Sequence, residues 1–286
     1  EFPAFPFLYG DRHAHMMAFP LPLGSLALAV AWARTSRPTW SSILLGGLLI
    51  GALRPTNTWD YPTYLGLGLV ALGMGAWLRG RARRRSEAHR DPPAGGQGES
   101  RFPSSLSIRG SWIPSLGLRI AVLVGLTLLL YLPYSRHYVA GYNSLKIWKG
   151  GTTPLRIYLW IHAMLLFPVV IRAVMELAAR LTHGGLTRVA AAVTVFGGVG
   201  LGAGLAAMGW PVAIVAVPVG AIAGLLFFGS SGDGASDGRA GNRLLWLLVG
   251  TAMALSLAVE IVVLEGDIGR MNTVFKFYLQ VWILLA

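Results

Sequence analysis

Long apolar runs separated by short polar connections recur along the chain: Met16 to Ala33, Pro38 to Leu53, Tyr61 to Leu78, Leu118 to Pro133, Leu155 to Val170, Val189 to Met208, Pro211 to Phe228 and Leu244 to Leu264. A helix needs roughly 17 to 25 residues to cross the hydrocarbon core of a bilayer. Most of the windows reach that length, and the two shortest, 38–53 and 155–170, have interfacial neighbours that extend them. The pattern predicts an all-α polytopic transmembrane bundle of about eight complete spans. A further window opens at Val274 and is still apolar at Ala286. It reads as a truncated ninth span, making residues 1–286 a single transmembrane domain cut from a longer protein.

Composition agrees with lipid as the solvent. Of 286 residues 54% are hydrophobic and only 13% charged, against roughly a quarter charged in a soluble domain. The chain has no Cys, which excludes disulfides, thiolate nucleophiles and Cys-ligated metal sites. The net charge of +12 raises nucleic acid as a partner, but placement of the charge argues against it. Eight of the arginines lie between Arg79 and Arg109 among Pro, Gly and Ser, so 79–112 is expected to be a flexible cytoplasmic loop. Alternating the spans from that anchor puts 16 of the 24 Lys and Arg residues inside, including those expected in loops 176–188 and 229–243. The protein is then an integral membrane protein, with the plasma membrane of a prokaryote as the expected location.

The same alternation sends four polar segments to the extracytoplasmic face: 10–15, 54–64, 134–153 and 265–278. In the first, Asp11, His13 and His15 alternate, so an extended chain points them one way. A carboxylate with two imidazoles suits a divalent metal such as Mg or Mn, and Asp11 with His13 beside it suits general base work. A solvated polar stretch ending at the interface explains the same residues without chemistry.

The second segment holds two prolines that interrupt helical bonding, with Thr56, Asn57 and Thr58 able to satisfy the freed backbone groups. That leaves Arg54 and Asp60 to explain. Arg54 suits a lipid phosphate, Asp60 a catalytic or orienting carboxylate, and Asn57 and Trp59 substrate contacts. The third segment is basic and aromatic, with His137 as its candidate contact, although aromatics at this depth are most often interfacial anchors. In the fourth, Glu265, Asp267, Arg270, Asn272 and Lys276 are candidate binding residues, with pairing at a helix end as the plainer account. Gly266 and Gly269 argue that the preceding helix stops there. Lys276 and Gln280 are one turn apart and are expected to face a bundle interior or a polar cavity. Glu260 and His162 are ionisable groups within apolar windows, where such residues are commonly functional, with a satisfied helix-packing histidine as the alternative for His162. The glycines from Gly197 to Gly204, like Gly47 with Gly51, carry small-xxx-small spacings that let helices approach closely.

The stretches FPFLYGDRHAHMMAFPL (5–21), RPTNTWDYPTY (54–64) and GRMNTVFKFYLQVW (269–282) resemble the YYY-domain membrane protein family, from one end of the chain to the other. That family is distantly similar in fold and face to the GT-C membrane glycosyltransferases. The resemblance implies a GT-C-like multispan fold, an outer-loop acid and a polyprenyl-phosphate sugar donor. Only Asp11 maps onto the acidic motif, and His13 stands where many such enzymes carry a second acid. The expectation is glycosyl transfer at the outer face. A membrane transporter, or a noncatalytic membrane scaffold, is the alternative.

Overall fold

A computed structural model describes residues 14–35, 37–88, 112–138, 144–183, 186–229, 236–264 and 270–286. Apart from one small ladder they are helical. In chain order the elements are α1 (Ala14–Ala18), α2 (Pro20–Ala33), α3 (Trp40–Thr56), α4 (Tyr61–Ala88), α5 (Trp112–Leu129), α6 (Leu132–His137), β1 (Leu145–Ile147), α7 (Leu155–Thr182), α8 (Arg188–Ala207), α9 (Ala213–Phe228), α10 (Ser236–Ile261), β2 (Val262–Leu264) and α11 (Arg270–Leu285).

The apolar windows are largely helical, although 118–133 is divided between α5 and α6 and 244–264 ends in β2. Four helical stretches are long and apolar enough to cross a membrane, namely Met16–Ala33, Leu155–Thr182, Arg188–Ala207 and Ala240–Ile261. Ser115–Leu129 and Ala213–Phe228 are apolar but shorter. Lipid explains the outward faces: Trp160 on α7 and Phe196 on α8 are 84% and 75% exposed, a display that water would penalise.

Several loop boundaries differ from expectation. The segment 176–188 is mostly helix, because α7 runs to Thr182. Its polar residues are matched: Trp246 Nε1 donates to Glu176 Oε2 at 2.9 Å and Arg180 Nε to Glu176 Oε1 at 3.0 Å. Likewise α10 begins at Ser236 inside the expected loop 229–243, α3 continues through Arg54 and Pro55 to Thr56, and α4 carries the backbone through Arg79 to Ala88. Residues 89–111 of the expected loop 79–112 lie outside the described residues. Arginine is a good helix former, so the basic run does not end α4.

Glycine sets the close approaches. A Cβ on Gly47 would lie 2.6 Å from Leu126 Cβ, and one on Gly51 2.6 Å from the Tyr131 ring, so α3 and α5 touch along the expected small-residue edge. In the glycine run of α8, Gly198 and Gly202 meet α9 at Pro218 and Ala213, whereas Gly197, Gly200 and Gly204 meet nothing. Two apolar cores result. One gathers Trp32, Ile43, Ile50, Leu72 and Leu123 from α2 to α5; the other gathers Tyr158, Trp246, Met253, Tyr278 and Val281 from α7, α10 and α11. Helix α4 packs on α10 and joins the two lobes.

Antiparallel pairing of β1 with β2 aligns Leu145 with Leu264 and Ile147 with Val262. The connections after α6 and after α10 therefore share one end of the bundle. At that end α10 stops at Ile261, before the two glycines.

Candidate functional site

Helix α11 organises the polar groups, because its buried positions face two ways. Residues 276 and 280 lie about 40° apart around the axis, while 270 and 278 lie on another side. Each side meets a different cluster.

The first cluster sits at the turn between α3 and α4. Pro55 and Pro62 bracket it: Pro62 falls in the first turn of α4, where its missing N–H costs nothing. Thr56 and Thr58 hydroxyls donate to the Ala52 and Arg54 carbonyls at 2.8 and 2.7 Å. The turn delivers Asn57 and Asp60 inward, 7% and 4% exposed, and leaves Trp59 half-buried. Gln280 Nε2 donates to Asp60 Oδ1 at 2.7 Å and to the Trp59 carbonyl at 3.2 Å, and Thr63 Oγ1 donates to Gln280 Oε1 at 2.7 Å. One glutamine thus ties the turn to α11. Burial pushes the Asp60 carboxyl up to about 7, against the opposing pull of hydrogen bonds from Asn57 and Gln280 and of the Lys276 ammonium. Beside it, the Tyr64 hydroxyl is buried without a hydrogen-bond partner. Arg54 is half-buried, its guanidinium 5.6 Å from the centre of the Tyr61 ring and its Nη1 3.5 Å from the Leu128 carbonyl.

The second cluster locks the other side of α11. Arg270 Nη2 lies 2.5 Å from Glu260 Oε1, and Glu260 is 2% exposed. This is an ion pair without hydrogen-bond alignment, since Oε1 has no hydrogen-bond partner. The remaining reach of Arg270 goes to the carbonyls of Val259 (2.9 Å) and Gly151 (3.2 Å) and to Thr153 Oγ1 (3.0 Å). Thr153 N donates to Glu260 Oε2 at 3.0 Å, and Tyr278 Oη donates to Thr153 Oγ1 at 3.4 Å. Tyr158, His162 and Tyr278 pack ring against ring, with centroids 4.5 to 5.9 Å apart. His162 Nδ1 faces the Tyr158 carbonyl at 3.1 Å, and its buried Nε2 has no partner.

The structure therefore brings Asn57, Trp59, Asp60 and Lys276 together, with Arg54 in the last turns of α3. Arg270 belongs to the second cluster, about ten residues and roughly 15 Å of helix rise from Gln280. Asn272 is half-buried on the same first turn of α11, and His137 is exposed at the end of α6. Asp11, His13, Glu265 and Asp267, and the side chain of His15, lie outside the described residues. No group of three or more His, Cys, Asp or Glu suited to a metal occurs among the described residues. Thr63, Tyr64, Thr153, Tyr158, Tyr278 and Ser256, whose hydroxyl accepts from Tyr158 Oη at 3.1 Å, were not legible as site residues. A hydroxyl, whether in an apolar window or a polar segment, gives no signal of its own until its partner is placed.

No curated protein and no solved structure matches the chain. One family model does match, described as an uncharacterized membrane protein family, DUF2298, and it spans residues 1–285. With a helical architecture, apolar outward faces and that match over nearly the whole chain, this protein is an integral membrane protein and belongs to the DUF2298 family.

Proposed function

We propose that the protein transfers a glycosyl group from a polyprenyl-phosphate donor, with Asp60 as the base that activates the acceptor hydroxyl. The observation that carries this reading is the buried Asp60 carboxyl, raised to about 7 and set beside the orphaned Tyr64 hydroxyl. A base is most useful when its pKa lies near the working pH. Asp60 takes the proton as the acceptor oxygen attacks the anomeric carbon. The bond from that carbon to phosphate oxygen breaks, and the lipid phosphate leaves with the electron pair. Lys276 and Arg54 supply the positive charge that this departure needs. Arg270, committed to Glu260 and three other oxygens, belongs to the second cluster and does not touch the donor. Asp11, His13 and His15 complete the proposal as ligands for a divalent metal, and a chelator tests that part.

The experiment is transfer from a polyprenyl-phosphate sugar by the full-length protein in liposomes. Asp60→Asn keeps size and the Gln280 contact but removes the base, so activity should fall about 10²- to 10⁴-fold. Wild-type activity in Asp60→Asn would remove the base role.

The transporter reading has its own observation in the His162, Tyr158 and Tyr278 stack deep between α7 and α11. Substrate flux across sealed liposomes that stops in His162→Phe, with no sugar transfer in any assay, would favour it.

A further inference from the structure

At the other end of the bundle, where α4 runs into its arginine-rich stretch and α10 begins, basic side chains are taken out of solvent. Arg180 and Arg243 are 7% and 6% exposed. Glu176 is the acid that Arg180 meets. It accepts hydrogen bonds from Arg180, Asn242 (2.5 Å) and Trp246 (2.9 Å), and lies 3.8 Å from Arg172 Nε. Arg243 donates to the Gly229 carbonyl at 3.3 Å and lies 4.7 Å from the centre of the Trp77 ring. Two guanidiniums, those of Arg172 and Arg180, thus meet one carboxylate, and Arg243 sits close by at the Gly229 carbonyl. Arg180 Nη1 is buried without a hydrogen-bond partner, 2.7 Å from the point where a Cβ on Gly229 would lie.

Beside these cations, between α4, α9 and α10, runs an apolar crevice of about 360 Å³ walled by Val70, Gly73, Met74, Trp77, Phe227 and Phe228, with Arg243 as its polar lining. The crevice is open, since Phe228 and Val70 in its wall are 80% and 42% exposed. A free inorganic anion gains nothing from apolar walls, and a neutral acyl chain gains nothing from guanidiniums. An anionic amphiphile uses both. We infer that this crevice holds an acyl chain of an anionic phospholipid, with the headgroup phosphate at Arg243 and Arg180. The site is separate from the α3–α4 turn and does not depend on what that turn does.

Trp77 serves as the reporter. The full-length protein is reconstituted in phosphatidylcholine liposomes containing a minor fraction of phosphatidylglycerol, with brominated acyl chains on one lipid or the other. The Trp77 signal is the fluorescence of the wild type less that of Trp77→Phe. Brominated phosphatidylglycerol should quench it at a mole fraction about fivefold lower than brominated phosphatidylcholine, the preference expected for each basic residue at a bilayer surface. Arg243→Gln should erase the preference. Gly73→Leu tests the walls without burdening the fold, because a Cβ at Gly73 meets nothing within 4 Å; it should shield Trp77 from both lipids. Equal quenching by the two lipids in the wild type would overturn the inference, as would a preference that survives in Gly73→Leu. Relief of quenching by millimolar inorganic phosphate would assign the cations to a free anion instead. Should Arg243→Gln fail to insert, the wild-type comparison and Gly73→Leu decide.

Discussion

Arg270→Ala should be among the most damaging single substitutions in the chain, for reasons of structure and not of donor binding. The change strips the cation from Glu260, a carboxylate 2% exposed, and leaves the Val259 and Gly151 carbonyls and Thr153 Oγ1 without a shared donor. Removing one partner of a buried pair costs about 3 to 5 kcal/mol, since the charge left behind stays desolvated. Glu260→Gln should cost less, because the amide still accepts from Thr153 N. In Glu260→Gln with Arg270→Ala no uncompensated ion remains, so the double variant should recover part of the loss. Reversible denaturant unfolding of the four proteins in detergent gives the coupling energy directly. A cost below about 1 kcal/mol for Arg270→Ala, or strict additivity in the cycle, would refute the idea that this pair fastens α11 to the end of α10.

Asp60 gives a pH signature. Its folded-state pKa is raised, so the protonated form is the one that folding favours. That contribution is present at low pH and is lost as pH rises through about 7. Thermal unfolding should therefore show lower stability at pH 8.5 than at pH 6, a difference absent in Asp60→Asn, while any transfer rate that uses Asp60 as a base should rise over the same interval. Gly47→Ala places a methyl 2.6 Å from Leu126 Cβ and should cost about 1 to 3 kcal/mol as overpacking; Gly200→Ala meets nothing and should stabilise by up to about 1 kcal/mol as the better helix former. Because the chain has no Cys, single cysteines report topology cleanly. Thr58→Cys and Ser135→Cys should label from one side of sealed vesicles and His183→Cys from the other, all three positions being exposed.

The helices were legible because apolar windows are a local signal, and so was the inward turn of Gln280, one helical turn from Lys276. The helix ends were less so. Glu176 and Arg180 read as loop residues until Trp246 and Asn242, some seventy positions away, supply their partners. The ladder of 145–147 with 262–264 was hidden for a similar reason. Val262, Val263 and Leu264 continue an apolar run, and nothing local distinguishes three extended residues from another helical turn. Arg270 was read with the nearby acids, Glu265 and Asp267; its described partner is Glu260, brought in by the fold back from α10 to α11.

The bond from Gln280 to Asp60 spans 220 positions in the chain. On a ribosome adding about 5 to 20 residues per second, the turn carrying Asp60 emerges roughly 10 to 45 s before the glutamine that will satisfy it. During that interval the first lobe has its own apolar core to assemble, but its acid has only water, Asn57 or a proton to answer it. The nascent protein therefore carries a built-in indicator of incompleteness. A chain that stops short of α11 lacks the Gln280 amide, so the Asp60 carboxyl goes without that donor.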